Sequence, residues 1–160
     1  MLLSQYSKKL NYLFNKHGFT LSIAESCTGG LLSSMITRYS GASSFLDSAV
    51  VVYSNQAKID LLKIPQDILT EYGAVSEEVA ILLAQNIKNI RKTNFSVAIT
   101  GIAGPKSDIT NKAVGLVYIA LKSDTISIVR KYNFSGSRKK IQRSSCKEAL
   151  KLLINHLSVP

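Results

Sequence analysis

Tryptophan is missing from this chain of 160 residues, cysteine and histidine occur only twice each, proline three times, and Asp plus Glu number ten against twenty Lys and Arg. Each shortage excludes something. Cys27 and Cys146 are far apart and unpatterned, so no disulfide scaffold is expected, and the usage suits a reducing cytosol. His17 closes the first apolar-periodic segment and His156 stands near the C-terminus. Neither follows a strand, so a Ser–His–Asp arrangement is not expected. No His/Cys/Asp cluster has metal-ligand spacing, and neither metal nor cofactor is expected. No run of about 18 apolar residues occurs, so no helix should span a membrane. The opening "MLLSQYSKKLNYLF" lacks the basic start, apolar middle and small-residue cleavage site of a secretory signal. There is no repeat, low-complexity tract or linker.

What is present describes one domain over residues 1–160 with an ordinary apolar core. Apolar residues make up 46% and charged residues 19% of the chain, a balance neither disordered nor fibrous. The basic excess gathers late: from Arg130 onward there are eight Lys or Arg and one acid, Glu148. It can be a nucleic-acid surface, a solvated helix face, or a source of one or two cations for a small anionic ligand. No stacking pattern or recognition motif accompanies it, so nucleic acid is not expected as a partner.

Helical and strand-like segments alternate. Leu3, Tyr6, Leu10, Leu13 and Phe14 recur at helical spacing, with Gly18 as the stop. "FTLSIA" (19–24) alternates as a strand. Residues 28–39 carry Leu31, Leu32, Met35, Ile36 and Tyr39 on one helical face. "SAVVVYS" (48–54) is so continuously apolar that it is expected to be a strand buried on both sides. Ser76 caps a helix that runs to about Lys92, with Glu77 and Glu78 set favourably against its dipole. "FSVAITG" (95–101) is a further central strand. "VGLVYIALK" (114–122) and "ISIVRKYNF" (126–134) are joined by a link that permits only a hairpin. A last helix starts near Arg138 and buries Cys146, Ala149, Leu150, Leu153 and Leu157. This order predicts an α/β protein with a mostly parallel sheet covered on both faces and one antiparallel pair near the end. Ligands of such sheets bind beyond the carboxyl ends of the strands. The turns "ESCTGG", "YSNQAK" and "TGIAGP" should therefore meet at one edge.

"AESCTGG" places Glu25, Ser26, Cys27, Thr28, Gly29 and Gly30 between a strand and a helix N-terminus. Free N–H groups collect there. A hydroxyl or thiol in that turn is poised to attack a carbonyl, with neighbouring N–H groups stabilising the oxyanion. The same residues also suit a helix cap with a glycine-eased turn. With histidine excluded, the base would be a lysine whose pKa is lowered by desolvation. Lys58, closing "VVYSNQAK", is the best-placed candidate, and otherwise a solvated cation. Ser26 and Cys27 are adjacent, so their side chains should diverge.

"AESCTGG", "SGASSF" with "VVYSNQAK" behind it, "YGAVSEEVA", "ITGIAGP" and "VGLVYIA" follow one another over roughly residues 5 to 155. In that order and spacing they resemble the C-terminal domain family of the competence/damage-inducible protein CinA. Its stand-alone members are nicotinamide-nucleotide amidohydrolases of the PncC type. The resemblance implies a three-layer α/β/α sandwich around a mixed sheet of about five strands. It also implies hydrolysis of the carboxamide of nicotinamide mononucleotide to nicotinate mononucleotide and ammonia, in pyridine nucleotide salvage. Cytoplasmic residence, a homodimer and the stand-alone form are expected with it. A catalytically weakened homologue that binds a nucleotide or a protein is the alternative.

By the same resemblance Ser26 is the nucleophile and Lys58 its base, with backbone N–H groups from Cys27 to Gly30 around the oxyanion. Tyr53 would orient the lysine or bind substrate, or else end a strand core. Glu25 would set the charge of the lysine or cap the turn. Cys27, Thr28, Gly29, Gly30, Asn55, Thr100, Gly101, Ile102, Ala103 and Gly104 are expected around the substrate, and Arg138 on its 5′-phosphate. The chain departs from the family pattern in several places. Ser107 and Asp108 stand where glycines are usual, and Ala113 where proline is. Ser48 and Ala49 also replace glycines. Gln142, with Arg143 next to it, stands at the place of a second arginine.

Overall fold

The computed structural model describes residues 3–157, and the extreme ends of the single domain expected over 1–160 lie outside them. The chain runs α1 (Leu3–His17), β1 (Leu21–Glu25), α2 (Leu31–Thr37), a short 3-10 turn (Ala42–Ser44), β2 (Leu46–Val51), α3 (Asn55–Leu62), α4 (Gln66–Tyr72), α5 (Glu77–Arg91), β3 (Phe95–Gly101), β4 (Leu116–Lys122), β5 (Ser127–Asn133) and α6 (Arg138–Leu157). One five-stranded sheet has the order β2-β1-β3-β4-β5. It is mixed, as the alternation predicts: β1 is parallel to both β2 and β3, while β4 is antiparallel to β3 and to β5. The antiparallel part begins one strand earlier than the expected hairpin. Residues 102–115 hold no helix, and without a crossover element the chain can only return alongside β3.

Helices cover both faces. Ile23, Val97, Ile99, Val117, Ile119 and Leu121 pack with α1, α2 and α6. The opposite face carries Ala24, Ala98 and Ala120 beneath Val79, Leu83 and Ile87 of α5. Small side chains there let α5 approach the strands closely, and Ser96 Oγ donates to the Ala84 carbonyl at 2.6 Å. Ser76 caps α5 as expected, its Oγ accepting from the Val79 N–H at 3.3 Å.

Three expectations change. The helix read over 28–39 begins only at Leu31, because Gly29 and Gly30 turn the chain with φ of 58° and 95°, values that suit glycine. The segment 48–54 is not a strand buried on both sides. The strand is β2, it lies at the sheet edge next to β1 alone, and its residues alternate between half-buried and exposed. Apolar continuity reports hydrophobicity, not whether a further strand exists to cover it. The "turn" after it is the helix α3, capped by Ser54 Oγ accepting from the Ala57 N–H at 3.0 Å.

Candidate active site

Because β1, β2 and β3 are parallel, their carboxyl ends reach one edge together, and the three turns that follow them meet there. Strand alternation then sorts the side chains of the first turn. Glu25 and Cys27 go toward α2 and α6, whereas Ser26 goes toward α3. Glu25 is 1% exposed. Its carboxylate accepts from the N–H groups of Gly30 (3.1 Å), Leu32 (3.1 Å) and Ser33 (2.8 Å) and from Ser33 Oγ (2.8 Å). It caps α2 and holds the turn rigid, so of its two expected roles the structural one has the geometry. It does not line the cleft described below.

Ser26 lies opposite Lys58, with Oγ and Nζ 3.3 Å apart. Lys58 sits in the first turn of α3 and is 1% exposed. Its Nζ also donates to the carbonyls of Val52 (2.9 Å), Tyr53 (3.3 Å) and Ser54 (3.5 Å) at the end of β2. No carboxylate pairs with it among the described residues. Burial lowers its pKa from 10.5 to about 8, so roughly a tenth of it is neutral at pH 7. A neutral amine keeps two N–H donors for the carbonyls, and its lone pair is left for the serine proton. The adjacent thiol behaves in the opposite way: burial pushes Cys27 up to about 12, which denies it the thiolate that thiol nucleophiles need.

The backbone of the turn is partly occupied. The Gly29 N–H donates to the Ser26 carbonyl at 3.0 Å, and the Gly30 N–H is held by Glu25. Of the N–H groups from Cys27 to Gly30, only those of Cys27 and Thr28 donate neither to a backbone carbonyl nor to the Glu25 carboxylate among the described residues. The expected oxyanion donors narrow to these two.

A cleft of about 250 Å³ opens over Ser26 and Lys58. Of the residues expected around a substrate, Cys27, Tyr53, Asn55, Thr100, Gly101, Ile102, Ala103, Gly104 and Arg138 line it, whereas Thr28, Gly29 and Gly30 do not. Tyr53 is 59% exposed, which rules out the end of a strand core. Its hydroxyl meets Arg138, whose Nη2 donates to it at 2.8 Å, and only its backbone carbonyl meets Lys58. Thr100 Oγ1 donates to the Ala74 carbonyl at 2.7 Å and ties down the α4–α5 turn. Gln142 Nε2 donates to the Cys27 carbonyl at 2.9 Å, bracing the turn after β1 against α6.

Sequence reasoning missed five lining residues: Ala74 and Val75 from the α4–α5 turn, and Lys106, Ser107 and Asp108 from the loop before β4. The first two carry no chemical signal. Of the other three, Ser107 and Asp108 had one, since they replace expected glycines with side chains, and Lys106 had none.

The profile of the CinA C-terminal domain matches residues 3–157. A CinA-like protein of Geotalea daltonii is 44% identical over 145 residues, 91% of this chain and 35% of that protein. A CinA-like protein of Syntrophotalea carbinolica is 46% identical over 140 residues, 88% of this chain and 34% of its own. The chain thus spans about a third of the length of these curated relatives. Among solved structures, the competence/damage inducible protein CihA from Agrobacterium tumefaciens superposes with a TM-score of 0.92 at 34% identity, covering 96% of this chain and 94% of that one. A competence or damage-inducible protein from Enterobacter asburiae superposes at 0.95 with 31% identity and 99% of both chains covered.

Proposed function

The chain belongs to the CinA C-terminal domain family, and from that membership together with the geometry of Ser26 and Lys58 we propose that it is a serine amidohydrolase. Its substrate is nicotinamide mononucleotide, and its products are nicotinate mononucleotide and ammonia. One observation carries the proposal: a serine hydroxyl 3.3 Å from a lysine amine that is buried, unpaired with any acid among the described residues, and whose pKa burial lowers to about 8. A buried lysine is destabilising, and such a group is a functional-site candidate.

The chemistry follows from the positions. Neutral Lys58 takes the Ser26 proton as Oγ adds to the carboxamide carbon. The negative charge that develops on the carboxamide oxygen is met by the N–H groups of Cys27 and Thr28. The Lys58 ammonium then gives its proton to the departing nitrogen, the C–N bond breaks and ammonia leaves. Water adds to the Ser26 ester with Lys58 again as base. The C–O bond to Ser26 breaks, and the proton returns to its oxygen. In this proposal the enzyme serves pyridine nucleotide salvage in the cytoplasm as a homodimer. None of its steps calls for a metal or cofactor.

A second reading, a homologue that holds a nucleotide without turning it over, has one observation in its favour. Lys106, Ser107 and Asp108 put side chains on the wall of the cleft, where they restrict the poses a substrate can take. Ammonia release from nicotinamide mononucleotide by purified protein, beside Lys58→Ala, separates the two. The amidohydrolase releases stoichiometric ammonia and the variant at least about 10³ times less. A well-folded wild-type protein that releases none leaves only the second.

A further inference from the structure

Resting on the amidohydrolase proposal, we propose that Lys106 is the ligand of the substrate's phosphate monoester, and that Arg138 is a strut that shapes the cleft. Three cations line this cleft: Lys58, Lys106 and Arg138. Lys58 is engaged at the bottom with Ser26 and the β2 carbonyls. Arg138 is engaged at the wall. Its Nη1 donates to the Gly104 carbonyl at 2.6 Å and its Nη2 to the Tyr53 hydroxyl at 2.8 Å. Those two bonds join the loop after β3 to the segment after β2 across the mouth. Lys106 alone has neither a hydrogen bond nor an ion pair among the described residues. It is exposed on the cleft lining and free to meet an incoming anion.

The one acid on the lining is Asp108. Its Oδ1 accepts from the Thr110 N–H at 2.9 Å and from Thr110 Oγ1 at 2.5 Å, and it forms no ion pair with Lys106 among the described residues. The surrounding field points the same way. The first turn of α6 contains no acid and begins with Arg138, Lys139 and Lys140. A helix N-terminus favours negative charge, and three cations there are destabilising on their own. An anion held at the cleft mouth would relieve that. A phosphate monoester carries about two negative charges near pH 7 and suits a compact ammonium donor. With Ser26 and Lys58 at the inner end and Lys106 at the outer, the cleft would select an amide-bearing nucleoside monophosphate over its nucleoside.

The test compares kcat/KM for nicotinamide mononucleotide with that for nicotinamide riboside in wild type, Lys106→Met and Lys106→Arg, beside calorimetric titration of each protein with ribose 5-phosphate. Lys106→Met should lower the nucleotide-to-nucleoside ratio tenfold or more and weaken ribose 5-phosphate to a similar degree, the usual weight of one charge-assisted hydrogen bond. Lys106→Arg should recover most of both. An unchanged ratio and unchanged ribose 5-phosphate affinity in Lys106→Met overturn the assignment, as does a wild-type protein that does not bind ribose 5-phosphate. If wild type binds ribose 5-phosphate through Lys106 yet hydrolyses neither amide, the phosphate site stands and the amidohydrolase proposal falls.

Discussion

The turn over residues 25–30 and the loop over 105–113 face each other across the same cleft, and they are built on opposite plans. In the turn, Glu25, Ser26, Cys27 and Thr28 are all buried, one carboxylate collects four donors, and Gln142 braces the outer carbonyl. In the loop, Lys106, Ser107 and Thr110 are exposed, and Ile109 at the tip is 99% exposed. The side chains of Ser107 and Asp108 form their hydrogen bonds within the loop itself. Lys112 Nζ, donating to the carbonyls of Tyr72 and Val75 at 2.7 Å each, ties the loop to the α4–α5 turn. Reacting atoms tolerate little displacement, so the proposed mechanism puts the chemistry on the over-determined turn. Recognition of the rest of a ligand tolerates more, and the proposal assigns it to the loop.

The largest break in that contrast comes from Lys58, the point where the rigid side stores an unfavourable charge. Activity that needs the neutral amine should fall tenfold per pH unit below about 8 and level off above it, read as kcat/KM against pH. Stability should move with it. The folded pKa, about 8, lies below the unfolded value of 10.5. Between those values the unfolded chain binds the proton that the folded one has released, so stability rises with pH through that window and is lowest below 8. Lys58→Met abolishes turnover yet should raise stability at pH 7 by about 1–2 kcal/mol. That is less than the whole shift implies, because the Val52 and Tyr53 carbonyls lose a donor. A variant less stable than wild type at pH 7, or a pH profile flat from 6 to 9, would remove Lys58 from the role of strained base.

Next in size is Glu25, which makes the turn rigid. Glu25→Gln keeps the shape but puts an NH₂ group among four donors. Hydrogen bonds to a charged, buried acceptor are worth more than neutral ones, and the loss should be about 2–4 kcal/mol, a fall of roughly 5–10 °C in Tm for a chain of this size. Turnover should fall as well, since the turn that holds Ser26 loosens. Ordinary stability in this variant would mean that the turn does not depend on its cap.

How much of this was legible beforehand follows the same division. Long amphipathic segments announced α1, α5 and α6, and the short link between the last two strands announced their hairpin. Residues after strand ends announced Ser26 and Lys58, because parallel strands deliver their carboxyl-terminal turns to one edge whatever else the fold does. The helices α3 and α4 were invisible: at eight and seven residues they are too short to display a period. Ala74 and Val75 reach the cleft only through a helix–helix turn, and Lys106 only because β4 returns antiparallel. Neither placement leaves a local mark in the sequence. Glu25 was legible as polar but ambiguous in role. Its direction depends on the parity of β1, which sends residues 25 and 27 to one side of the sheet and 26 to the other.

That parity yields the smallest expected effect and the sharpest discrimination. Ser26 and Cys27 are adjacent, and a thiol is intrinsically the stronger nucleophile. Yet Cys27 packs with the α1, α2 and α6 core, and burial holds its pKa near 12, so at neutral pH it is a small hydrophobe with a protonated sulfur. Cys27→Ala should lose about 1 kcal/mol of stability through the missing sulfur contacts and keep turnover within about threefold. Ser26→Ala should retain its fold and lose turnover entirely. Iodoacetamide should leave the native protein unlabelled at Cys27 and label it only in denaturant. Inactivation of Cys27→Ala with survival of Ser26→Ala would reverse the two roles, and would make Cys27, which also lines the cleft, the nucleophile.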